Sequence, residues 1–244
     1  YVTVNDVANA LLAIGASPIM ADDIQEAADI TAVSSALVIN IGTLNERTIY
    51  SMIASGKRAN DLGIPVVFDP VGAGASKLRN ETTKEILSQV QVAIIRGNLS
   101  EMSFIAGLDA AIKGVDASDD EKNSRTDVAN IAARTYGCVA AITGAVDVIS
   151  DGNRLVKILN GHKMLSRVTG TGCMTTALVG AFAGVSNDYF TAAAGGVASM
   201  GIAGELAYER RGSAGTGSFH IAVIDALSSL NGSIFTERIK LDEM

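Results

Sequence analysis

A glycine-rich loop in the sequence runs into a cysteine at the point where a helical pattern begins. Residues 167–182 read RVTGTGCMTTALVGAF, and apolar residues recur at helical spacing from Cys173 onward. Gly170 and Gly172 allow the backbone to approach a ligand closely or to take a positive φ. Because the start of a helix presents free N–H groups and the positive end of the helix dipole, the stretch predicts an anion site with a thiol at its entrance.

The chemistry expected of Cys173 is that of a general base. Beside a helix N-terminus, a cysteine is expected to have a lowered pKa and therefore more thiolate, which could accept a proton from a substrate hydroxyl. The alternative is a small residue that fills a tight helix start, because free cysteines are often simply buried. The suitability of the surrounding loop for anions favours the first interpretation.

The loop matches neither of two common phosphate-binding signatures. The sequence contains no G-x-x-x-x-G-K-[ST], which excludes a P-loop NTPase, and no G-x-G-x-x-G follows the first predicted strand, which argues against a Rossmann dinucleotide site. A phosphate-transfer site built on this loop therefore needs polar groups from other elements.

The elements that must position those groups alternate along the chain. Short continuous apolar runs predict buried strands, and segments with helical periodicity separate them. This alternation is typical of an α/β fold in which a mostly parallel sheet is covered by helices on both faces. The predicted strands are 36–42, 64–72, 92–97 and 138–144. The predicted helices are 4–12 (ending at Gly15), 22–33, 45–62, 81–89, 98–106, 125–136, 173–184, 188–210 and 217–230.

Two stretches complete the predicted architecture. In VDVISDGNRLVKIL (146–159), two strand-like runs flank Asp151-Gly152, which predicts an antiparallel hairpin on the edge of the sheet. The stretch 190–207, FTAAAGGVASMGIAGELA, is rich in glycine and alanine and carries Glu205, so we expect a tightly packed interior helix there and not a membrane span. Since no linker, repeat or low-complexity tract interrupts the chain, residues 1–244 are predicted to form one domain.

Polar residues follow the predicted strands at the positions where ligands bind in open parallel sheets, beyond the carboxyl ends of the strands. An acid, an arginine, an amide and a threonine at these positions would together suit a nucleotide and its metal. The residues are Asn40, Gly42, Asp69, Arg96, Asn98, Thr143 and Gly144.

Two acids at or shortly after these strand ends are candidate ligands of Mg²⁺, a cation that prefers carboxylates and retains several waters. Asp69 comes at a strand end in DPVGAG (69–74), and Glu101 falls one helical turn after the next strand in IIRGNLSE (94–101). The alternative for Asp69 is a turn-capping residue. The alternative for Glu101 is an acid that complements the dipole at the start of its helix.

Arg96 and Thr143 are candidates for binding phosphate oxygens. The planar guanidinium of arginine fits such oxygens, although Arg96 could also be an ion-pairing or surface residue. Thr143 could donate its hydroxyl to a phosphate or simply belong to a loop. His162 and His220 show no ligand spacing and are interpreted as structural, and Met20 is either a core residue or part of the lining of a small aromatic-ligand pocket.

Composition excludes several classes of function. The net charge of −7 and the pI near 4.8 argue against a nucleic-acid partner, and no apolar run is long enough to span a membrane. Cys138 and Cys173 match neither a zinc site nor a disulfide framework, which is typical of a reduced, cytoplasmic protein. Because the chain begins at Tyr1 without a methionine, we expect a few residues upstream of it.

Five stretches of the sequence resemble the hydroxyethylthiazole kinase family. The resemblance extends over essentially the whole chain, in order and with natural spacing. A GTG element followed by a helix is shared with the wider ribokinase-like superfamily, whereas the cysteine after it, ASPIMA and DPVGAG are specific to the thiazole kinases. The five stretches are ASPIMA (16–21), VFDPVGAG (67–74), IRGNLSE (95–101), ITGAVD (142–147) and VTGTGCM (168–174).

The resemblance implies a ribokinase-like three-layer sandwich with a central, mostly parallel sheet flanked by helices. It implies ATP- and Mg²⁺-dependent phosphorylation of the primary alcohol of 4-methyl-5-(2-hydroxyethyl)thiazole, a step of thiamine salvage, and a homotrimer with active sites at subunit interfaces. On the substrate side, Met20 corresponds to a substrate-contacting methionine and Gly170 to a glycine of the anion hole. Cys173 stands where ribokinase relatives carry an aspartate base.

On the nucleotide side, the resemblance implies that Arg96 and Thr143 contact the phosphates of ATP, with Gly172 in the ATP-binding loop. Asp69 and Glu101 match the acids that are associated with Mg²⁺. The sequence departs from the family pattern in two places. The family has an I-T-N stretch, whose asparagine contacts substrate, and this stretch would lie just before the first residue here. The sequence also has NLSE, where a small residue is expected before the serine.

Three alternative functions remain at this point. A ribokinase-like kinase of a hydroxymethyl pyrimidine or a sugar, and an ATP-dependent dehydratase that repairs hydrated nicotinamide nucleotides, usually carry aspartate after GTG, so Cys173 argues against both. A non-catalytic nucleotide-binding protein is disfavoured because Asp69, Glu101, Arg96 and the loop occur together.

Overall fold

A mixed β-sheet forms the centre of the molecule. The structure is a computed structural model that describes residues 2–108 and 119–243. Within these residues the sheet has seven strands, which lie side by side in chain order. They are β1 (Leu37–Asn40), β2 (Val66–Asp69), β3 (Ile94–Asn98), β4 (Val139–Thr143), β5 (Asp147–Ser150), β6 (Leu155–Ile158) and β7 (Leu241–Glu243).

The first four strands are parallel, and the last three extend the sheet in antiparallel pairs. The carboxyl ends of β1 to β4 therefore lie at one edge of the sheet, which we call the strand-end edge. The register places Asn40 opposite Asp69, and Asn98 opposite Thr143, at that edge. At the strand-end edge, strand pairing thus brings together residues that lie as far as 45 positions apart in the sequence.

Helices connect and cover these strands. Several begin at capping residues of the expected kind, such as Asn45, Ser76 and Asp188, whose side chains accept hydrogen bonds from the first turn of the following helix. The helices are α1 (Val4–Ala13), α2 (Ala27–Ala32), α3 (Glu46–Leu62), α4 (Lys77–Gln89), α5 (Leu99–Ile105), α6 (Asp119–Tyr136), α7 (Thr171–Ala183), α8 (Tyr189–Arg211), α9 (Thr216–Ser229) and α10 (Gly232–Arg238).

Apolar residues from both faces of the sheet form the core. Helices α3 to α6 pack on one face, while α7 and α8 pack on the other, and α1 and α9 cover α7 and α8 from outside. Helix α8 is the tightly packed interior helix expected at 190–207, since a Cβ at Gly196 would lie 2.6 Å from the backbone of Val179 in α7. The described residues contain no helix that is long and apolar enough to span a membrane.

The structure confirms the predicted α/β fold, with small changes in the bounds of its elements. The hairpin at Asp151-Gly152 is formed by β5 and β6 as predicted, but β7 lies beyond it as the outermost strand. Neither β7 nor α10 was predicted. In place of the helix expected at 22–33, only α2 is helical, because the preceding residues form a turn in which Asp23 accepts the N–H of Gln25.

Candidate active site

Asp69, the last residue of β2, is buried at the strand-end edge with its two carboxylate oxygens in different surroundings. Oδ2 accepts hydrogen bonds from Nδ2 of Asn40 (2.7 Å) and from Oγ1 of Thr176 (2.7 Å), and it lies 3.9 Å from Nη1 of Arg96. Oδ1 is buried and has no hydrogen-bond partner among the described residues. Burial raises the pKa of Asp69 to about 6, and the neighbouring Arg96 guanidinium opposes that rise.

Arg96, in β3, links Asp69 to the end of β4. Its Nη2 donates a hydrogen bond to Oγ1 of Thr143, while its Nε is buried without a partner among the described residues. A Cβ at Gly172 would lie 3.0 Å from Nη1 of Arg96, so glycine is needed for the loop to approach the guanidinium this closely. The structure therefore brings Arg96, Thr143 and Gly172 together, and a guanidinium beside a hydroxyl and a helix start suits a phosphate group.

Glu101 has both of its carboxylate oxygens engaged by the backbone. Oε2 accepts the N–H of Asn98 (2.8 Å), and Asn98 in turn caps the start of α5 by accepting the N–H of Glu101 (3.0 Å). Oε1 accepts the N–H of Gly72 (2.8 Å) in the loop after β2. Glu101 thus lies at the start of its helix, as the alternative interpretation expected, and it also completes a capping box with Asn98. Its carboxylate lies close enough to Asp69 for its charge to raise the pKa of that residue.

The glycine-rich loop turns into α7 at Gly170, the N-cap residue, whose φ is 87°. A Cβ at Gly170 would lie 2.8 Å from Cγ2 of Thr3, so the start of α1 packs directly on the loop. Helix α7 begins at Thr171 and is 13 residues long, which makes Cys173 the third residue of its first turn. The prediction of a helix start at this loop is confirmed, with the free N–H groups of the first turn at the strand-end edge.

The predicted lowering of the pKa of Cys173 is wrong. The thiol is half-buried, and its burial, followed by the negative charge of Asp69, raises its pKa. Hydrogen bonds from Asn40 and Thr3 and the charge of Arg96 act in the opposite direction but do not reverse the rise. The free protein therefore carries mainly the thiol at neutral pH, because burial and the charge of Asp69 outweigh the hydrogen bonds and the charge of Arg96.

Two further residues belong to this cluster, and the sequence analysis gave neither a role. Asn40 was noted only as a strand-end residue, yet its amide joins Asp69 to the thiol of Cys173. Thr176, fully buried in α7, was missed entirely. Its position one turn after Gly172 was the available signal, since a hydroxyl there faces the same direction as the start of the helix.

A third buried carboxylate, that of Asp147 at the start of β5, was also missed. Its Oδ1 accepts the N–H of Gly144 (2.8 Å), which fixes the turn that follows Thr143. Burial raises the pKa of Asp147 to about 7, although Arg96 and Arg125 lower it. Its place near the start of the predicted hairpin (146–159) gave no indication that the side chain would be buried.

Met20 lies between α1 and α2, and 49% of it is exposed, so the core interpretation of this residue is wrong. The histidines have structural surroundings, as expected. His162 stacks on Tyr208 with 3.7 Å between ring centroids, and Nε2 of His220 lies 3.0 Å from Oδ1 of Asp6.

The donor set at the strand-end edge fits a divalent cation that is held largely by phosphate and water. Among the described residues, no group of three or more His, Cys, Asp or Glu side chains could hold a metal ion by itself. Mg²⁺ needs only one or two protein carboxylates when it also binds substrate phosphates. The unpartnered, buried Oδ1 of Asp69, with Glu101 close by, matches that requirement.

Comparisons with known proteins agree with this geometry. A family model described as the hydroxyethylthiazole kinase family matches residues 1–233. The chain is 66% identical over 246 residues to a hydroxyethylthiazole kinase of Ruminiclostridium cellulolyticum, covering all of this chain and 90% of the relative. It is 63% identical to the corresponding protein of Clostridium beijerinckii, with the same coverage.

Solved structures show the same fold. The structure of a hydroxyethylthiazole kinase protein from Pyrococcus horikoshii superimposes with a TM-score of 0.91 at 40% identity, covering all of this chain and 91% of the other. A pyridoxal kinase from Staphylococcus aureus in complex with ADP has a TM-score of 0.60 at 14% identity, covering 82% of this chain and 81% of the other. The second likeness concerns the ribokinase-like fold alone.

Proposed function

The chain belongs to the hydroxyethylthiazole kinase family, and on that premise we propose that it transfers the γ-phosphoryl group of ATP to the primary hydroxyl of 4-methyl-5-(2-hydroxyethyl)thiazole, a reaction of thiamine salvage. The observation that carries the proposal is the meeting of three elements at one edge of the sheet. These are the start of α7, the Arg96 guanidinium and the partly satisfied carboxylate of Asp69.

In this proposal the nucleotide phosphates lie beside Arg96 and the first turn of α7. Arg96 and Thr143 bind phosphate oxygens, and Gly172 lets the start of the helix lie close to the guanidinium. The alcohol oxygen forms the new bond to the γ-phosphorus, the bond from that phosphorus to the β–γ bridging oxygen breaks, ADP leaves, and the hydroxyl proton passes to an oxygen of the transferred phosphoryl group and from there to water. The free N–H groups at Gly170 and the residues after it stabilise the charge on the transferring group.

Mg²⁺ would be held by Asp69 and Glu101 together with phosphate oxygens and water, and it would neutralise charge on the β- and γ-phosphates. The buried, unpartnered Oδ1 of Asp69 supports this assignment. Asn40 and Thr176 hold the other oxygen, so that Oδ1 remains available to a ligand.

For Cys173 we propose a positioning role that does not depend on a thiolate. Its raised pKa leaves the side chain mainly protonated at neutral pH. Phosphoryl transfer passes through a loose transition state, in which the hydroxyl proton is released late and positioning outweighs base strength. A half-buried thiol beside Asn40 and the helix start can orient the substrate hydroxyl toward the phosphorus.

A homotrimer with active sites between subunits is part of the proposal. Met20, the residue expected to contact the alcohol, is 49% exposed in a single chain, so a subunit interface would cover it and present it to the site of a neighbouring subunit. The exposed side chains of Leu12, Ile19 and Ile24 near Met20 support this, because an interface would cover them. A cytoplasmic location follows from the use of ATP and from the reduced cysteines.

The proposed function is tested by measuring ADP release with purified protein, ATP and Mg²⁺ in the presence of hydroxyethylthiazole, hydroxymethyl pyrimidine, pyridoxal or ribose. The expected result is turnover with the thiazole alcohol at a kcat/KM at least about 100-fold above that of any other alcohol, because binding energy is used at the reacting centre.

Other outcomes would point to the alternative functions. If another alcohol is turned over preferentially, the protein is a kinase of that alcohol and the proposed substrate is wrong. ATP binding without turnover of any alcohol would contradict the proposal and favour the dehydratase or the non-catalytic binder, which an assay with hydrated NADH separates.

A further inference from the structure

Arg79, in the first turn of α4, connects the loops that follow β1 and β2. Its Nη1 donates to the carbonyl oxygens of Ile41 (2.6 Å) and Val71, and its Nη2 donates to the carbonyl oxygen of Gly42 (3.0 Å). Its side chain packs under Gly72, where φ is +74° and a Cβ would lie 3.0 Å from Cδ of Arg79. One guanidinium thus holds two loops that begin directly after the strand ends.

Two of the three carbonyls that Arg79 contacts, those of Ile41 and Val71, belong to peptide units whose N–H groups orient side chains of the candidate site. The carbonyl of Ile41 and the N–H of Gly42 form one planar trans peptide, and this N–H donates to Oδ1 of Asn40 (2.8 Å). In a trans peptide the C=O and the N–H point in opposite directions. Arg79 therefore fixes one side of this peptide unit, while Asn40 is fixed on the other.

The loop after β2 repeats the arrangement. The carbonyl of Val71 and the N–H of Gly72 share a second trans peptide, and this N–H donates to Oε1 of Glu101 (2.8 Å). Asn40 in turn donates to Oδ2 of Asp69 (2.7 Å). Glu101 is thus linked to Arg79 through the Val71–Gly72 peptide unit. Asp69 is linked to Arg79 through the Ile41–Gly42 peptide unit and then the side chain of Asn40.

The charge of Arg79 strengthens these connections. A cationic donor on a carbonyl polarises the peptide, so that the N–H of the same unit becomes a better donor. The two N–H groups should hold Asn40 and Glu101 more firmly than neutral contacts on the carbonyls would. Outer groups of this kind typically contribute about 10–100-fold to metal affinity or activity.

We propose that Arg79 is a positioning residue of the candidate site, which orients Asn40 and Glu101 through two peptide units and so prepares the two carboxylates for the Mg²⁺–nucleotide complex. The proposal rests on the proposed function, since it assigns a task to Arg79 within the same site. The competing explanation is that Arg79 only stabilises the two loops as part of the fold.

The experiment compares Arg79→Met, Arg79→Lys and Lys77→Met in the full chain. Lysine keeps the charge but has a single ammonium group in place of the planar fork that contacts both loops. Lys77→Met is the matched control, since it removes one positive charge from the same helical turn at a side chain that is 87% exposed. The readouts are the thermal midpoint without ligand, calorimetric binding of ADP with and without Mg²⁺, and the Mg²⁺ concentration at half-maximal ADP release.

We expect Arg79→Met to weaken Mg²⁺-dependent ADP binding and to raise the half-maximal Mg²⁺ concentration by about 10–100-fold, with a smaller change for Arg79→Lys. ADP binding without Mg²⁺ and the KM for the alcohol should change by less than about threefold, and Lys77→Met should match the wild type. This separation of Mg²⁺-dependent from Mg²⁺-independent binding is a change that a purely structural role would not produce.

A lower thermal midpoint with unchanged Mg²⁺ dependence in both folded variants would overturn the proposal. If Arg79→Met does not fold, Arg79→Lys decides, and loss of folding in both variants would make Arg79 structural and overturn the proposal as well. Failure of the proposed function is recognised separately, because a wild-type protein that binds Mg²⁺–ADP and phosphorylates no alcohol still allows the binding comparison.

Discussion

The end of β2 and the start of α5 each bring a carboxylate to the same edge of the sheet. Asp69 has one oxygen held by two side chains and one oxygen buried without a partner among the described residues. Glu101 has each oxygen held by a backbone N–H, one of which completes a capping box with Asn98.

This difference indicates that Glu101 contributes to the stability of the fold, whereas Asp69 is not needed for it. The contacts of Glu101 stabilise α5 and the loop after β2, so the fold itself accounts for its presence. Asp69 is buried in a way that raises its pKa and leaves an oxygen unsatisfied, and a protein retains such an arrangement where function requires it. Substitutions of Asp69 and Glu101 should therefore differ in their effects on stability and activity.

The largest effect is expected for Asp69→Asn. The amide oxygen can still accept from Asn40 and Thr176, but a neutral side chain with a nitrogen at the free position cannot bind Mg²⁺. We expect kcat/KM to fall by about 1000-fold or more, while the free energy of unfolding without ligand does not fall at neutral pH, because the neutral amide removes the buried charge whose desolvation raises the pKa of Asp69. ADP release and chemical denaturation measure the two quantities. A variant with nearly normal activity would remove Asp69 from the site.

Asp147→Asn tests a third buried carboxylate, which has one backbone partner. The pKa of Asp147 is raised to about 7 from the ordinary 3.8, so the folded state binds this proton more tightly than the unfolded state does. The wild type should therefore lose stability as the pH rises from about 4 to about 7, with no further loss from this group above that range.

The asparagine can accept the N–H of Gly144 without a charge. Between pH 4 and pH 8, the free energy of unfolding of the variant should therefore fall by about 3 kcal/mol less than that of the wild type. Denaturation curves at a series of pH values give the comparison, and a slope should remain in the variant because the pKa of Asp69 is also raised. Identical dependence of stability on pH in the two proteins would show that the pKa of Asp147 is not raised in the folded state.

Glu101→Gln should affect stability and activity together. Glutamine has one acceptor oxygen, so it can keep only one of the two backbone N–H groups that Glu101 binds. We expect the free energy of unfolding to fall by about 1–2 kcal/mol and kcat/KM to fall by about 10–100-fold. The control is Glu46→Gln, which changes an exposed acid in the first turn of α3. Loss of activity with unchanged stability would make Glu101 resemble Asp69 and would erase the contrast.

The smallest effect is expected for Cys173→Asp, which adds a carboxylate beside Asp69. A carboxylate is ionised at neutral pH, and a loose transition state depends little on base strength. Activity should stay within about tenfold of the wild type or exceed it, as steady-state ADP release at saturating Mg²⁺ would show. If activity disappears while the fold and ADP binding are intact, the thiol has a role that position alone does not explain.

Local patterns in the sequence were sufficient to predict the strands, the hairpin and the loop at the start of α7. Continuous apolar runs such as ALVINIG and IPVVFDPVG predict buried parallel strands, and their ends then predict that Asp69, Arg96 and Thr143 meet. Strand β7 was missed because a three-residue strand has too little pattern of its own and is defined by its pairing with β6, and α10 was missed because seven residues give barely two turns of helical periodicity.

The surroundings of these residues could not be predicted in the same way, because they depend on contacts between distant segments. Thr176 reaches Asp69 across 107 positions, and Arg79 reaches Ile41 across 38. The direction of the pKa shift of Cys173 was wrong because a helix start is visible in the sequence, whereas the burial of the thiol and the charge of Asp69 beside it are not.

The most direct test of the central claim is to identify the product by ³¹P NMR after incubation with ATP, Mg²⁺ and hydroxyethylthiazole. We predict a new phosphate monoester signal that is split into a triplet by the neighbouring CH₂ protons, in an amount equal to the ADP formed, for the wild type and not for Asp69→Asn. ADP accompanied only by inorganic phosphate, or an equal monoester signal from Asp69→Asn, would contradict the account.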